Sequence, residues 1–222
     1  MAQQKPWTRS PWITIWLSPK ETFGKILRYR RHYLWTFFST IVGLNYVSYL
    51  LSAGVSNFTG WARLFVALLT IVLSPLLAFA FFRIGGWIMA KVGRWFKGKA
   101  NVYEATTVFI WSNVPALLYL GLWVINLLIA RGLGASVILG NIPLIAVIAH
   151  YPTWALINYS VSLVLSIWSI VIYVTGISHV HQFSIPRAIG TFLIATAFNI
   201  FVFSVLSSFF IFIIGLIEGL IF

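Results

Sequence analysis

Cysteine is absent from these 222 residues, aspartate is absent too, and the only acids are Glu21, Glu104 and Glu218. Without cysteine there is no disulfide, no thiol nucleophile and no thiolate metal site. Three acids far apart in sequence offer no carboxylate pair for general acid–base work, and no His-rich acidic cluster to hold a metal. A glycine-rich phosphate loop and a nucleophile–base–acid arrangement are likewise missing. The expectation is therefore a protein that is not an enzyme, with no catalytic residue, no cofactor and no metal. Charge itself is scarce, at 8% of residues.

What the chain has instead is apolar surface: 60% hydrophobic and 18% aromatic residues. No water-soluble fold hides that much behind eighteen charged side chains, so lipid must be the solvent for most of it. No linker rich in Ser, Gly or charge divides the chain, and residues 1–222 are expected to form a single membrane domain. The net charge of +12 comes from basic residues placed where a membrane protein keeps its cytoplasmic anchors. Nucleic acid is not an expected partner, because no helix or strand is left over to enter a groove. Anionic membrane lipid is the expected partner.

The stretch Lys97–Leu118, KGKANVYEATTVFIWSNVPALL, marks the passage from water to lipid. A basic loop runs into Glu104 and then into an apolar segment broken by Asn113-Val114-Pro115. On either side the chain reads in order. Residues 1–32 form a basic, Trp-rich arm. Its first seventeen residues, broken by Pro6 and Pro11, are expected to be irregular and to lie at the lipid interface. The arm lacks the compact apolar run of a cleavable signal. Ser18-Pro19-Lys20-Glu21 is a helix start, with Ser as N-cap, Pro at N1 and Glu to complete a capping box. The helix it opens is amphipathic, with Phe23, Ile26 and Leu27 on one face, and ends in Arg28-Tyr29-Arg30-Arg31-His32.

About 20 apolar residues are needed to cross a bilayer, and residues 33–222 supply five such segments. They are Tyr33 to Ser52, Leu64 to Phe82, Ala105 to Ala130, Tyr159 to Ile177, and Ile185 to about Leu216. Val137 to Ala149 is too short to cross and is expected to dip into the interface. With the N-terminus inside, thirteen Lys/Arg fall on the cytoplasmic side and only Arg63 and Arg131 outside. The expected protein is all-α and multi-pass, with its N-terminus in the cytoplasm and its C-terminus outside. Its expected location is the cell membrane.

Several residues invite a functional role beside a structural one. Glu104 is either a ligand or switch at the mouth of the third span, or an acid favoured by a helix N-terminus. Pro75 and Pro115 kink the second and third spans and either frame a hinge or are merely tolerated. Asn45, Asn113 and Asn199 lie about three turns into their spans. They either converge on a polar midplane site, with Ser74, Ser112 and Ser204, or act as interhelical glue. His179 and His181 precede the fifth span, where a capped interfacial turn is the default over a metal or pH site. His32 and His150 read as lone structural histidines. Gly215 and Gly219 form a small-xxx-small pair that would suit a homo-oligomer. Lys25, Arg28, Arg30, Arg31, Lys91, Arg94, Lys97 and Lys99 are the candidate contacts to anionic lipid.

Three segments together resemble one known family. They are WITIWLSPKETFGKIL at Trp12 to Leu27, YEATTVFIWSNVPAL at Tyr103 to Leu117, and WSIVIYVTGISHVHQFSIPRAI at Trp168 to Ile189. The chain is similar to the bacterial branch of the Yip (Ypt-interacting protein) family of five-span membrane proteins. The resemblance implies a cytoplasmic N-terminus. Eukaryotic relatives associate with Rab-type GTPases and with one another, but the short basic arm here lacks a long acidic region for such a partner. Two functions follow as expectations. One is a membrane organiser or adaptor that binds anionic lipid and protein partners. The other is a small-solute, ion or lipid permease built on the kinked second and third spans and the Asn midplane.

Overall fold

The computed structural model describes residues 10–29, 60–115 and 151–221, with 117–119, 121, 122, 125, 128 and 129 between them. The described residues form helices and turns, with no strand among them. The first expected span, the Val137–Ala149 segment, Arg30, Arg31 and Asn45 lie outside the described residues.

The chain opens with α1 (Pro11–Leu17) and α2 (Pro19–Tyr29). Here the expectation of an irregular start is corrected. Pro11 does not break a helix; it sits in the first turn of one, where its missing N–H is not needed and its fixed φ already suits the helix. Nor does α1 merely lie on lipid. Ile15 is fully buried, and the Trp12 ring packs 5.3 Å from that of Trp111.

In α2 the expected amphipathic face is present, with Phe23 and Ile26 buried and Lys20, Glu21, Lys25 and Arg28 exposed. The buried face is spent on protein. A Cβ placed on Gly176 would lie 2.6 Å from Val108 and 2.7 Å from the Phe23 ring, so that glycine is what admits Phe23 to the bundle. Burying such a ring from water contributes about 1.5–3 kcal/mol.

Helix α3 (Gly60–Trp95) runs unbroken through Pro75 for 36 residues, on the order of 54 Å. It does not leave the core after Phe82: Ile88, Met89, Ala90 and Val92 are buried as well. Gly85 and Gly86 are the crossing point with α4 (Val102–Trp111). A Cβ on Gly86 would sit 2.1 Å from the Thr106 hydroxyl and 2.6 Å from its Cα, and one on Gly85 2.2 Å from the Phe109 ring. Rising numbers on α4 meet falling numbers on α3, so the two helices are antiparallel.

Helix α4 ends at Trp111, after which Ser112–Pro115 form turns and helix resumes at residues 117–119. The Tyr119 hydroxyl ties the resumed segment to the next long helix, donating to the Ser162 carbonyl and meeting the Ser166 hydroxyl.

Two long helices complete the described structure, α5 (Pro152–His181) and α6 (Ile185–Ile221). Pro75–Trp95, Pro152–His181 and Ile185–Phe209 are each long and apolar enough to cross a membrane. The helices are held along a seam of rings: Phe81–Phe109 at 5.4 Å, Phe109–Tyr173 at 5.7 Å and Tyr173–Phe192 at 5.4 Å.

The α3–α4 crossing rests on the absence of a side chain at Gly86. A Gly86→Ala variant must push its methyl against the α4 backbone at Thr106, an overpacking cost of about 1–3 kcal/mol. Gly121, where an added Cβ would meet nothing among the described residues, is the control. Thermal unfolding in detergent, followed by circular dichroism, should show a lowered midpoint for Gly86→Ala and none for Gly121→Ala.

Candidate functional site

The ends of α3 and α5 are built alike and locked together. Lys97 adopts a left-handed conformation at φ 63°. The Lys97 N–H returns to the Arg94 carbonyl at 2.9 Å and the Gly98 N–H to the Gly93 carbonyl at 2.9 Å. That pair of bonds is a Schellman turn. At the end of α5, Gln182 is left-handed at φ 57°, and the Gln182 and Phe183 N–H groups both return to the Ser178 carbonyl. The Ser178 hydroxyl then donates to the Phe183 carbonyl at 2.7 Å.

His181 joins the two ends. Its carbonyl accepts the Lys99 N–H at 3.3 Å, its Nδ1 accepts the Ala100 N–H at 3.4 Å, and its ring stacks on Phe183 at 5.1 Å and 9°. A Cβ on Gly93 or Gly98 would lie 2.1 or 2.2 Å from that ring, so the two glycines form the slot it fills. His181 is thus a buried keystone, with its Nε2 buried and unpartnered among the described residues.

Around this junction the basic side chains are exposed: Arg94, Lys97, Lys99 and Arg187. The second turn of α6 reaches it, since a Cβ on Gly190 would lie 3.2 Å from the Phe96 ring, and Arg187 stands one turn earlier on the same face. From below comes α2. A Cβ on Gly24 would lie 3.5 Å from His179 Nε2, and Lys20 and Glu104 are both within electrostatic reach of that histidine. One end of the bundle therefore gathers the exposed cations of α2, α3 and α6. The described residues contain no group of three His, Cys, Asp or Glu placed to hold a metal.

Glu104 has a defined local task. Its carboxylate accepts the Asn101 N–H at 3.0 Å, and the Asn101 side chain accepts the Glu104 N–H at 2.9 Å. This is a reciprocal capping box that starts α4. The sequence signal was Asn-x-x-Glu at the head of an apolar run.

The break above α4 also closes its accounts locally. Pro115 has no N–H to give the Trp111 carbonyl, and the Val114 N–H takes that place at 3.2 Å. The Asn113 N–H turns to the Ile110 carbonyl at 3.0 Å, which leaves the Phe109 carbonyl to the Ser112 hydroxyl at 2.8 Å and the Asn113 amide at 2.7 Å. Asn199 behaves similarly, donating to the Ala195 carbonyl at 2.8 Å. Its Oδ1, however, is buried with no donor among the described residues.

Asn199 lines a cleft of about 490 Å³ whose walls come from α3, α4, α5 and α6. Asn113 is not part of that lining. Ser204, expected with Asn199 in the polar midplane set, also lines the cleft, whereas its aromatic floor was not foreseen from the sequence. That floor of Phe81, Phe109, Tyr173 and Phe203 is spread over four helices, and only the high aromatic content hinted at it.

Comparison with known proteins finds a family match. The family model for the Yip1 domain covers residues 13–207, from within α1 to within α6. No curated protein and no solved structure matches the chain.

The capping box sets the result expected at Glu104. Glutamine at this position can still accept the Asn101 N–H, so Glu104→Gln should keep stability within about 0.5 kcal/mol of the parent, whereas Asn101→Ala should cost about 1 kcal/mol. Chemical unfolding in mixed micelles reads both. A large loss for Glu104→Gln alone would mean that the carboxylate charge has a second task.

Proposed function

This chain belongs to the Yip1-domain family, and we propose that it is a non-enzymatic membrane organiser, holding anionic lipid at its basic end and protein partners along its helices. In this proposal it is a five-span protein of the plasma membrane, with its N-terminus in the cytoplasm and its C-terminus outside. The observation that carries the proposal is how the N-terminal helices are used. The apolar faces of α1 and α2 are committed to the bundle, with Ile15 and Phe23 fully buried. The helix is thereby held as part of the bundle end, its cations turned outward beside those of α3 and α6. Lys20, Lys25, Arg28, Lys91, Arg94, Lys97, Lys99 and Arg187 are all exposed. Near an anionic leaflet each such charge contributes about 1 kcal/mol, and a fixed array adds these terms without first ordering a flexible tail.

A permease would need polar groups turned toward one another across the bundle. Asn113 instead gives its amide to the carbonyl four residues back and is not among the residues that line the cleft with Asn199, which favours the organiser.

Two measurements test the proposal. Native mass spectrometry of the protein released from membranes should find anionic phospholipid retained. In a Lys91→Gln, Arg94→Gln, Lys97→Gln, Lys99→Gln variant that retention should fall at least tenfold, with no loss of folded protein, since all four side chains are exposed. An unchanged lipid complement would remove the basic end from consideration. For topology, a fluorescent reporter that matures only in the cytoplasm should be bright at the N-terminus and dark at the C-terminus.

A further inference from the structure

The cleft among α3, α4, α5 and α6 has two walls of different chemistry. Phe81, Phe109 and Tyr173 form a packed aromatic floor with Phe203, the Phe81 and Phe203 rings being only 4.2 Å apart. The α6 wall carries Asn199 and Ser204, whereas the outer face of the same helix presents Leu193, Ile194, Phe201, Val205 and Phe209. Polar groups on α6 are thus concentrated toward the cleft. No charged residue lines it.

Asn199 lies about 21 Å along α6 from Ile185 at 1.5 Å per residue, within the part of α6 apolar enough to cross a membrane. At that depth bulk water is not there to satisfy a carboxamide. Its Nδ2 is used by Ala195; its Oδ1 is buried without a donor among the described residues. The cleft therefore asks for a molecule with a hydrocarbon body for the aromatic floor and an uncharged hydrogen-bond donor for Asn199. A charged head would be costly at this depth with no counter-charge on the wall. A volume of about 490 Å³ falls in the range of small-ligand pockets and suits one chain better than two.

We propose that this cleft is a binding site for a neutral single-chain lipid with a hydroxyl head, of the monoacylglycerol kind. The chain lies on Phe81, Phe109, Tyr173 and Phe203; the Asn199 side chain, whose Oδ1 is otherwise covered, turns to offer that oxygen to a head hydroxyl, with the Ser204 hydroxyl available to a second polar atom of the head. The site does not depend on the basic end of the bundle or on anionic lipid.

The test uses the full-length protein in nanodiscs with two photoactivatable probes, a monoacylglycerol bearing a diazirine in its chain and the same molecule with both hydroxyls methylated. Cross-linked peptides are mapped by mass spectrometry. The free-hydroxyl probe should label the α6 segment 196–207 at least fivefold more than the methylated one, and excess unlabelled monoacylglycerol should compete. Asn199→Leu should bring the two probes to the same level. Should that variant fail to fold, Ser204→Val, at an exposed position, should lower the preference by a smaller factor. Equal labelling by both probes in the parent protein would overturn the proposal, reducing the cleft to an ordinary lipid-facing groove. So would labelling absent from 196–207, as when another segment of this chain fills the cleft, and so would a preference that survives Asn199→Leu.

Discussion

In hydrocarbon a backbone N–H or carbonyl has no water to turn to, and this one constraint governs where the chain may change direction. Inside a helix the requirement is met automatically. At a helix end it is not, and the described ends show three different ways of meeting it. The start of α4 uses side chains, through Asn101 and Glu104. The ends of α3 and α5 use left-handed turns at Lys97 and Gln182. The interruption above α4 uses a tightened turn, with Ser112 and Asn113 taking up the Phe109 carbonyl. Because the turns of α3 and α5 also exchange bonds through His181, satisfying the backbone at one end fixes the position of the other. The basic surface is a consequence: Arg94, Lys97 and Lys99 are held where those turns hold them.

Glycine is the other half of the same economy. Between helices in lipid the hydrophobic effect offers little, and association depends on close packing. Gly86 against Thr106, Gly176 against Phe23 and Val108, and Gly93 with Gly98 around His181 are places where a single Cβ would collide with a neighbouring helix or ring. Each of these glycines stands opposite a specific larger group, so the fit sets register as well as distance.

Much of this was legible before any coordinates. Uncharged runs of helical length announced a membrane protein, and the Yip resemblance pointed to the family that the domain match bears out. Helices α2 and α6 begin where their prolines and polar caps said they would. What could not be read is what depends on distant partners. Pro11 looked like a breaker because nothing local shows that Trp12 and Ile15 have Trp111 and the core to pack on. The Gly85-Gly86 crossing has no local signature because the fit to Thr106 lies twenty residues on. His181 looked like one of two interfacial histidines, since the slot that receives it is formed by Gly93 and Gly98. Glu104 and Asn113 are the opposite case. Both drew attention as scarce polar residues, and both are engaged within four residues of themselves.

That contrast bears on how scarce polar groups in a membrane sequence should be weighed. Rarity alone does not separate a group with a function from one with a local bond to make. The useful question is whether the side chain's full capacity can be met from its own helix. For Asn113 the Phe109 carbonyl absorbs the amide at a place where Pro115 has already disturbed the ladder. For Asn199 the Ala195 carbonyl absorbs only half of what the side chain offers, because no N–H of an intact helix is free to serve its oxygen. An intact helix can always give a carbonyl to a side-chain donor but has no donor to give in return. In an unbroken span a carboxamide oxygen must therefore look outside its helix, and Asn199 does so beside a cleft.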